Sequence, residues 1–424
     1  MDGALALSEE RAGGDSYHLE APGGYSLIAP GASVSDDRPL GPTGDGILGD
    51  GTEEYPVVDG IPYLIEASTR PGLEHLRERA CAALRAGDER AALRLLLRDQ
   101  DRFSPTPPPS DAAVDELIDR RDELSLREAM ALLNYGPVAD YFAHRWSSPT
   151  FQSGLALLER AALPSRPVVE VACGIGHFLR VLEGQGYATV GIDIVFSKLW
   201  LARHFLGVEG VLVCGDIERS PVLAPGTSAE QAGLPHTVLC HDAFYFFERK
   251  REALTHLLRL SNRGTVVLGH VHTHTDEHEA GFAERLADYR TFLPAGERLL
   301  DDAALARTYL TRETCHTEAT ERSTAFSTMM GRKLRNVRSF VPPRASLRLN
   351  PLLTTAGIGY PSEGWRREFE ADSERLGSLS LAAFAKTPRV QALVRSELAI
   401  ADLSDAEATA LYRHRVLLDL PARW

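Results

Sequence analysis

The chain has 424 residues, with 46 Lys and Arg against 59 Asp and Glu, so its formal charge is −13. At about 100–200 residues per domain, this length suggests two or three domains. Hydrophobic residues make up 44% and charged residues 25%, which excludes a wholly disordered, collagen-like or coiled-coil chain. No apolar run reaches the about 18–20 residues of a membrane span, and the acidic start is unlike a signal peptide. We therefore expect a soluble, cytoplasmic protein.

The cysteines fit a reducing compartment. They occur at Cys81, Cys173, Cys214, Cys240 and Cys315, without a C-x-x-C pair. This spacing fits neither a disulfide framework nor a structural zinc site. The three central cysteines lie within apolar runs, where we expect them to be small buried side chains.

The first third of the chain divides into two regions. Residues 1–66 hold 13 acids and two bases and are rich in turn-forming residues, which predicts a small acidic β module that does not grip a phosphate backbone. Residues 67–135 show apolar spacings of three and four, with a break at Gly87-Asp88 and a proline-rich stretch at 104–111. We expect a helical lid or linker there.

From residue 167 onward, apolar strand-like runs alternate with helical segments. Such alternation is typical of a parallel sheet that is buried on both faces. It predicts an α/β fold, a doubly wound and mostly parallel Rossmann-like sheet, with the core at 136–332 and a C-terminal cap at 333–424. The predicted strands read PVVEVAC, ATVGIDI, GVLVCGDI, TVLCHDAFYFF and TVVLGHVHT.

The turn after the first of these strands is rich in small residues. It contains Gly174 and Gly176 and leads into a helix. Such a turn is typical of a loop whose backbone approaches a ligand closely. A pyrophosphate-binding G-x-G-x-x-G would need a third glycine where Leu179 stands, and no G-K-[ST] follows. A nicotinamide-binding loop is therefore a distant alternative, and a P-loop is excluded.

This turn resembles the first motif of class I S-adenosylmethionine-dependent methyltransferases, an acid followed by G-x-G-x-G. Glu170, Ala172, Gly174 and Gly176 match it, with Ala in place of the first glycine. The resemblance covers about 136–332 and implies S-adenosyl-L-methionine as cofactor. It also implies that Glu170 to Gly176 surround the methionine moiety, and that a lid precedes the first strand.

Two further acids follow the next two strands, and the resemblance gives both a role. Asp193, 17 residues after Gly176, would bind the ribose hydroxyls, and Asp216 would contact the adenine. Ile194 and Ile217 would wall the adenine. Tyr141, Phe142 and Trp146 are lid candidates, with a plain aromatic core face as the alternative.

Polar residues follow the fourth and fifth strands, beside the predicted ligand crevice. We expect His241 to be a general base, because imidazole titrates near neutral pH. Asp242 and Tyr245 would orient it or contact the substrate. His270 and His272 would help to bind or deprotonate the substrate. His270, His272 and His274 could also converge on a metal ion, but a polar pocket wall is preferred, so no metal is predicted.

The sequence thus predicts a methyltransferase that acts on an oxygen or nitrogen atom of a small molecule, with no membrane partner and nucleic acid unlikely. An RNA methyltransferase is the first alternative. Residues 331–349 hold six bases and no acid, and the segment from Glu54 to Ile65 resembles a zinc-ribbon-like module of some bacterial methyltransferases, without its metal-binding cysteines. An inert cofactor-binding scaffold is the second. The acceptor and the oligomeric state stay open.

Overall fold

A computed structural model describes residues 26–27, 41–44, 46–49, 53–65, 75–100, 104, 106–161, 167–219, 223–224, 236–275, 279–331 and 339–424. The chain begins with short strands β1 (Ser26–Leu27), β2 (Gly41–Gly44), β3 (Ile47–Gly49), β4 (Glu54–Val58) and β5 (Ile61–Pro62). Strands β2 to β5 form an antiparallel sheet in sequence order. Its end is joined to the central core, because the Leu64 amide donates to the Cys214 carbonyl at 2.7 Å.

Six helices follow, in the region predicted to be helical and just beyond it. They are α1 (Leu76–Arg85), α2 (Glu89–Leu97), α3 (Asp111–Asp119), α4 (Leu126–Leu132), α5 (Pro137–His144) and α6 (Pro149–Ala161). The predicted break lies between α1 and α2, where Gly87 has φ +72 and the Asp88 carboxylate caps α2 by accepting from the Ala91 amide.

The central domain alternates strands and helices. In chain order it contains β6 (Val168–Val171), α7 (His177–Gly184), β7 (Thr189–Asp193), α8 (Phe196–Leu201), β8 (Val211–Cys214), β9 (Leu223–Ala224), β10 (Thr237–His241), α9 (Lys250–Leu260), β11 (Thr265–His272), α10 (Leu286–Arg290), β12 (Leu300–Asp301), α11 (Asp302–Thr311) and β13 (Ala325–Gly331). A π-helical turn, Ala202–Leu206, extends α8.

Seven of these strands form the central sheet in the order β12-β13-β11-β10-β6-β7-β8. Strands β6, β7, β8, β10 and β11 pair in parallel, whereas β13 runs antiparallel to both of its neighbours. This confirms the predicted mostly parallel α/β fold. The strand order reverses between β6 and β10, which is where ligands bind in open α/β sheets.

One strand is shorter than predicted. The fourth predicted strand continued to Phe247, but β10 ends at His241 and a 3₁₀ turn, Phe244–Phe246, follows. Asp242 has φ +56, a left-handed conformation that stops the strand. The polar side chains therefore gather at the strand's end instead of alternating along it.

The C-terminal segment packs against the central domain. It contains β14 (Arg348–Leu349), β15 (Leu353–Thr354), β16 (Gly357–Ile358), α12 (Glu363–Leu376), α13 (Leu381–Ala385), α14 (Pro388–Val394), α15 (Asp405–Arg413) and β17 (Leu417–Leu418). One link is a buried ion pair, in which the Arg413 Nη2 donates to Glu159 Oε1 of α6 at 2.6 Å. Among the described residues no helix is both long and apolar enough to cross a membrane.

The close packing of α6 against Phe178 and His241 can be tested at Gly154. A Cβ there would lie 2.3 Å from a ring carbon of Phe178 and 2.8 Å from His241 Nε2. We expect Gly154→Ala to lower the free energy of unfolding by about 1–3 kcal/mol through overpacking, measured by urea unfolding.

The matched control is Gly184→Ala at the end of α7, where a Cβ has open space within 4 Å. The same change there should raise the free energy of unfolding by up to about 1 kcal/mol, because alanine favours the helix. Equal effects at both positions would contradict the tight contact.

Candidate functional site

A cavity of about 640 Å³ lies at the carboxyl ends of β6, β7, β8 and β10. This volume falls within the about 300–1,000 Å³ of small-molecule sites. The glycine-rich turn and the acids after β7 and β8 line one part of it, and the end of β10 lines another. The structure therefore brings the predicted cofactor-binding acids together with His241, Asp242 and Tyr245 at one cavity, whereas His270 and His272 are not among the residues that line it.

The turn between β6 and α7 has the backbone that small residues permit. Ala172, Gly174 and Gly176 all have positive φ, at 56°, 56° and 83°. Ala172 and Gly174 line the cavity, whereas a side chain at Gly176 would meet Val208 and Ala202 of the protein interior. A Cβ at Gly174 would lie 3.1 Å from the Phe142 ring, so both glycines let the loop pack closely against its neighbours.

Asp193 fastens this loop to the end of β7. Its Oδ2 accepts from the Gly174 amide at 2.8 Å, and its Oδ1 accepts from the Val195 amide at 2.9 Å. Asp216 has a similar local bond, accepting from the Glu218 amide at 2.9 Å. Both acids also line the cavity, where a ligand could reach them. Ribose binding by Asp193 and adenine contact by Asp216 stay predictions.

Glu170 is a buried acid with unused hydrogen-bonding capacity. Its side chain lines the cavity, and Oε2 has no hydrogen-bond partner among the described residues. Burial raises its pKa to about 8, because the charged form loses hydration. A cationic or hydrogen-bonding ligand would supply what this carboxyl lacks, so the residue fits the methionine end of the predicted cofactor.

Apolar side chains complete the walls. Ile194 and Ile217 line the cavity, as do Tyr141 and Phe142 of α5. Trp146, the third lid candidate, is 2% exposed and packs edge-to-face on His177 instead. Two of the three predicted lid residues therefore face the ligand space, and the third belongs to the core.

Asp242 is the centre of the polar cluster at the end of β10. Its Oδ2 forms a buried ion pair with Arg145 Nη1 at 2.9 Å and accepts from the Tyr141 hydroxyl at 2.8 Å. Its Oδ1 accepts from the Tyr245 hydroxyl at 3.1 Å. Burial alone would raise the pKa of Asp242, but Arg145 and the neighbouring histidines hold it below its usual range. The carboxylate is ionised and orients two phenols at the cavity.

His241 is held as a neutral imidazole. Because a guanidinium can only donate, Arg145 Nη2 donates to His241 Nδ1 at 3.1 Å, which places the ring proton on Nε2. Burial, reinforced by Arg145, lowers the pKa of His241 to about 3. To act as a general base, His241 would have to exchange its bond with Arg145 for one with the substrate. Its catalytic role stays a prediction.

His270 and His272 lie next to this cluster, at the end of β11. The Nδ1 of His270 is 2.7 Å from Asp302 Oδ2, and the His272 Nε2 is 3.9 Å from Asp242 Oδ1. The two imidazole rings meet edge-to-face with centroids 4.7 Å apart. Substrate binding by either histidine stays a prediction.

Residues 142–307 match the family model described as "Methyltransferase domain". This span is a methyltransferase domain. The match confirms the resemblance seen in the glycine-rich turn, and with it S-adenosyl-L-methionine as the cofactor. Among curated proteins, none matches the chain.

Solved structures similar to the methyltransferase domain share little sequence with it. A TehB-like SAM-dependent methyltransferase from Corynebacterium glutamicum is 16% identical over 44% of this chain and 94% of its own, with a TM-score of 0.31. Magnesium protoporphyrin IX methyltransferase from Synechocystis, with bound SAH, is 16% identical over 46% and 85%, with a TM-score of 0.30. Phosphoethanolamine N-methyltransferase 1 from Haemonchus contortus is 13% identical over 54% and 51%, with a TM-score of 0.32. These likenesses are too distant to identify a substrate.

Two residues of the polar cluster around Asp242 and His270 could not be predicted from the sequence. Arg145 lies in a 3₁₀ turn after α5, 97 positions before its partner Asp242, and Asp302 begins α11, 32 positions after His270. Neither belongs to a motif. Both residues are far in sequence from their partners, and only the folded chain brings them together.

The basic segment that suggested an RNA alternative lies partly outside the described residues, at 332–338. Of its described bases, Arg344 donates to the Leu403 carbonyl and lies 3.7 Å from Asp405. Arg348 donates to the Ala345 and Leu347 carbonyls. The described bases are thus engaged with the C-terminal segment itself.

The Arg145–Asp242 ion pair can be tested by a double-mutant cycle. Arg145→Met leaves a buried carboxylate without its counter-charge, so we expect the free energy of unfolding to fall by about 3–5 kcal/mol. The double variant Arg145→Met/Asp242→Asn should recover much of that loss, as measured by urea unfolding.

Arg219→Met is the control, since Arg219 meets Asp216 at 3.5 Å with a side chain that is 41% exposed. It should cost less than about 1 kcal/mol. A double variant as unstable as Arg145→Met alone would show that packing of the guanidinium, and not its charge, is what matters.

Proposed function

We propose that this chain is an S-adenosyl-L-methionine-dependent methyltransferase that acts on an oxygen or nitrogen atom of a small molecule. The observation that carries the proposal is the single cavity, bounded by the glycine-rich turn at one part and by the Asp242 cluster at another. A cofactor and an acceptor could lie in contact within it. A cavity of about 640 Å³ favours a small acceptor over a folded nucleic acid.

The cofactor would lie against the ends of β6, β7 and β8. Glu170 has a buried oxygen in need of a partner, and Gly174 lines the same cavity. Asp193 would keep the loop in place while accepting from a ribose hydroxyl, because each carboxylate oxygen has two lone pairs. Ile194 and Ile217 would flank the adenine.

The acceptor would lie against the aromatic side of the cavity. Tyr141, Phe142, Tyr245, Phe246 and Phe247 all line it, and aromatic side chains bind flat or apolar molecules well. Basic and acidic side chains both line the same cavity, among them Lys198, Arg249 and Glu248. These walls favour a planar or aromatic acceptor that carries a hydroxyl or amino group.

The chain's contribution to the reaction would be mainly positioning. When bound, S-adenosyl-L-methionine would supply an electrophilic methyl group: an oxygen or nitrogen of the acceptor would attack the methyl carbon in line, the carbon–sulfur bond would break, and S-adenosylhomocysteine would leave as a neutral thioether. Tyr141 and Tyr245 already donate to Asp242, so their oxygens can accept the O–H or N–H of the acceptor and aim its lone pair. Arg145 holds Asp242 and His241 in place, and His241 remains the proposed base once its bond with Arg145 is exchanged.

The cofactor can be tested by calorimetric titration with S-adenosyl-L-methionine and S-adenosylhomocysteine, with NAD as control. We expect micromolar binding of the first two and no binding of NAD. Asp193→Asn places an amide against the Gly174 or Val195 amide, so affinity should fall at least about tenfold, or about 1.4 kcal/mol.

Asp288→Asn, at an exposed acid of α10, is the matched control and should bind as the parent does. Binding of NAD alone would overturn the cofactor assignment.

The acceptor end can be tested by turnover. A panel of phenols and aromatic amines would be screened with methyl-labelled S-adenosyl-L-methionine, with bulk tRNA as a separate acceptor. On a methylated small molecule, Tyr245→Phe and His241→Ala should each lower kcat by about 10²-fold or more and leave the affinity for S-adenosylhomocysteine within about twofold.

Tyr360→Phe, in the C-terminal segment, serves as control. Methylation of tRNA alone would overturn the small-molecule proposal. Parent-like turnover in His241→Ala would remove His241 as the base.

A further inference from the structure

Three side chains that commonly bind metal ions converge at the ends of β10 and β11. Asp242, His270 and His272 each offer a ligand atom, and these atoms all lie within 4.8 Å of one another. We propose that they form a binding site for one divalent transition-metal ion. The sequence had suggested a run of His270, His272 and His274, but in the structure β11 ends at His272 and Asp242 takes the third place.

The distances fit an ion after a small adjustment. Imidazole and carboxylate ligands lie about 2.0–2.2 Å from Zn²⁺, so two ligands of one ion are at most about 4.2 Å apart. His272 Nε2 and Asp242 Oδ1, at 3.9 Å, already meet this limit. Two imidazoles with one carboxylate recur in catalytic zinc sites and non-haem iron sites, whereas Mg²⁺ prefers oxygen ligands alone.

His270 has the hydrogen bond that metal-binding histidines need. Its Nδ1–H donates to Asp302 Oδ2 at 2.7 Å, and the Ser327 hydroxyl donates to the other oxygen of Asp302 at 2.6 Å. Such a carboxylate behind an imidazole fixes the tautomer and leaves the Nε2 lone pair for a metal. Asp302 would thus be a positioning residue, and its carboxylate is itself held by Ser327.

The backbone of β11 is distorted at this point. The pairing of β11 with β13 shifts register between Leu268 and Val271, and His270 has φ +47. A bulge re-aims side chains, and a positive φ at a non-glycine residue is strained. The distortion directs the His270 side chain between Asp302 and the ring of His272.

The local charge favours a cation. The cluster contains two carboxylates, Asp242 beside Arg145 and Asp302 beside His270, and one guanidinium, which gives 1 − 2 = −1 when the histidines are neutral. Arg145 and Tyr141 both bind Oδ2 of Asp242. Among the side chains that the structure describes, only the Tyr245 hydroxyl donates a hydrogen bond to Oδ1. A second lone pair on Oδ1 therefore remains for the ion.

The test uses the full chain after dialysis against a chelator. Co²⁺ titration followed by visible absorbance, and Zn²⁺ titration by calorimetry, should each show about one equivalent bound with micromolar affinity or tighter. His272→Ala and His270→Gln should weaken binding by at least about 100-fold. Asp302→Asn should weaken it by about 10–100-fold, as expected for an outer-shell partner.

His274→Ala is the matched control, because His274 lies two residues beyond His272 and outside the cluster. It should bind the metal as the parent does. Binding of S-adenosylhomocysteine by every variant serves as the check of folding, so loss of the metal alone is distinguishable from failure of the proposed function. No saturable binding by the parent, unchanged binding in His272→Ala, or loss in His274→Ala would each overturn the proposal.

Discussion

The candidate site depends on one buried ion pair, between Arg145 and Asp242. Arg145 comes from the turn between α5 and α6, whereas Asp242 follows β10, so the pair fixes the helical layer to the end of the sheet. Two charges at such depth are stable only when both are well hydrogen-bonded. Arg145 meets this condition through Asp242, His241 and Thr150, and Asp242 meets it through Tyr141 and Tyr245.

Hydrogen bonds to a buried carboxylate also fix the loop at the other part of the cavity, which is the predicted cofactor end. Asp193 accepts from a backbone amide with each of its oxygens, so the glycine-rich turn is fixed to the end of β7. Ala172 adopts a left-handed backbone that costs about 1–2 kcal/mol for a residue with a Cβ. The surrounding bonds stabilise that conformation.

The sequence could predict what depends on local pattern. Alternating apolar runs indicated the parallel strands, and the small residues after β6 indicated the nucleotide-binding turn. What it could not predict depends on distant contacts: the partnership of Arg145 with Asp242, that of Asp302 with His270, and the antiparallel pairing of β13 with β11. The end of β10 was also missed, because Phe244, Tyr245 and Phe246 have high strand propensity and only the backbone at Asp242 overrides it.

The span that matches the methyltransferase family is not by itself a complete structural unit. It stops at residue 307, within α11. Strand β13, which comes after that residue, lies between β11 and β12 in the sheet. The carboxylate of Glu159 in α6 is neutralised by Arg413, far beyond that limit. A fragment cut at the family boundaries would expose the edge of β11 and leave a buried charge uncompensated. In this chain, the C-terminal segment has become part of the interior of the domain that it follows.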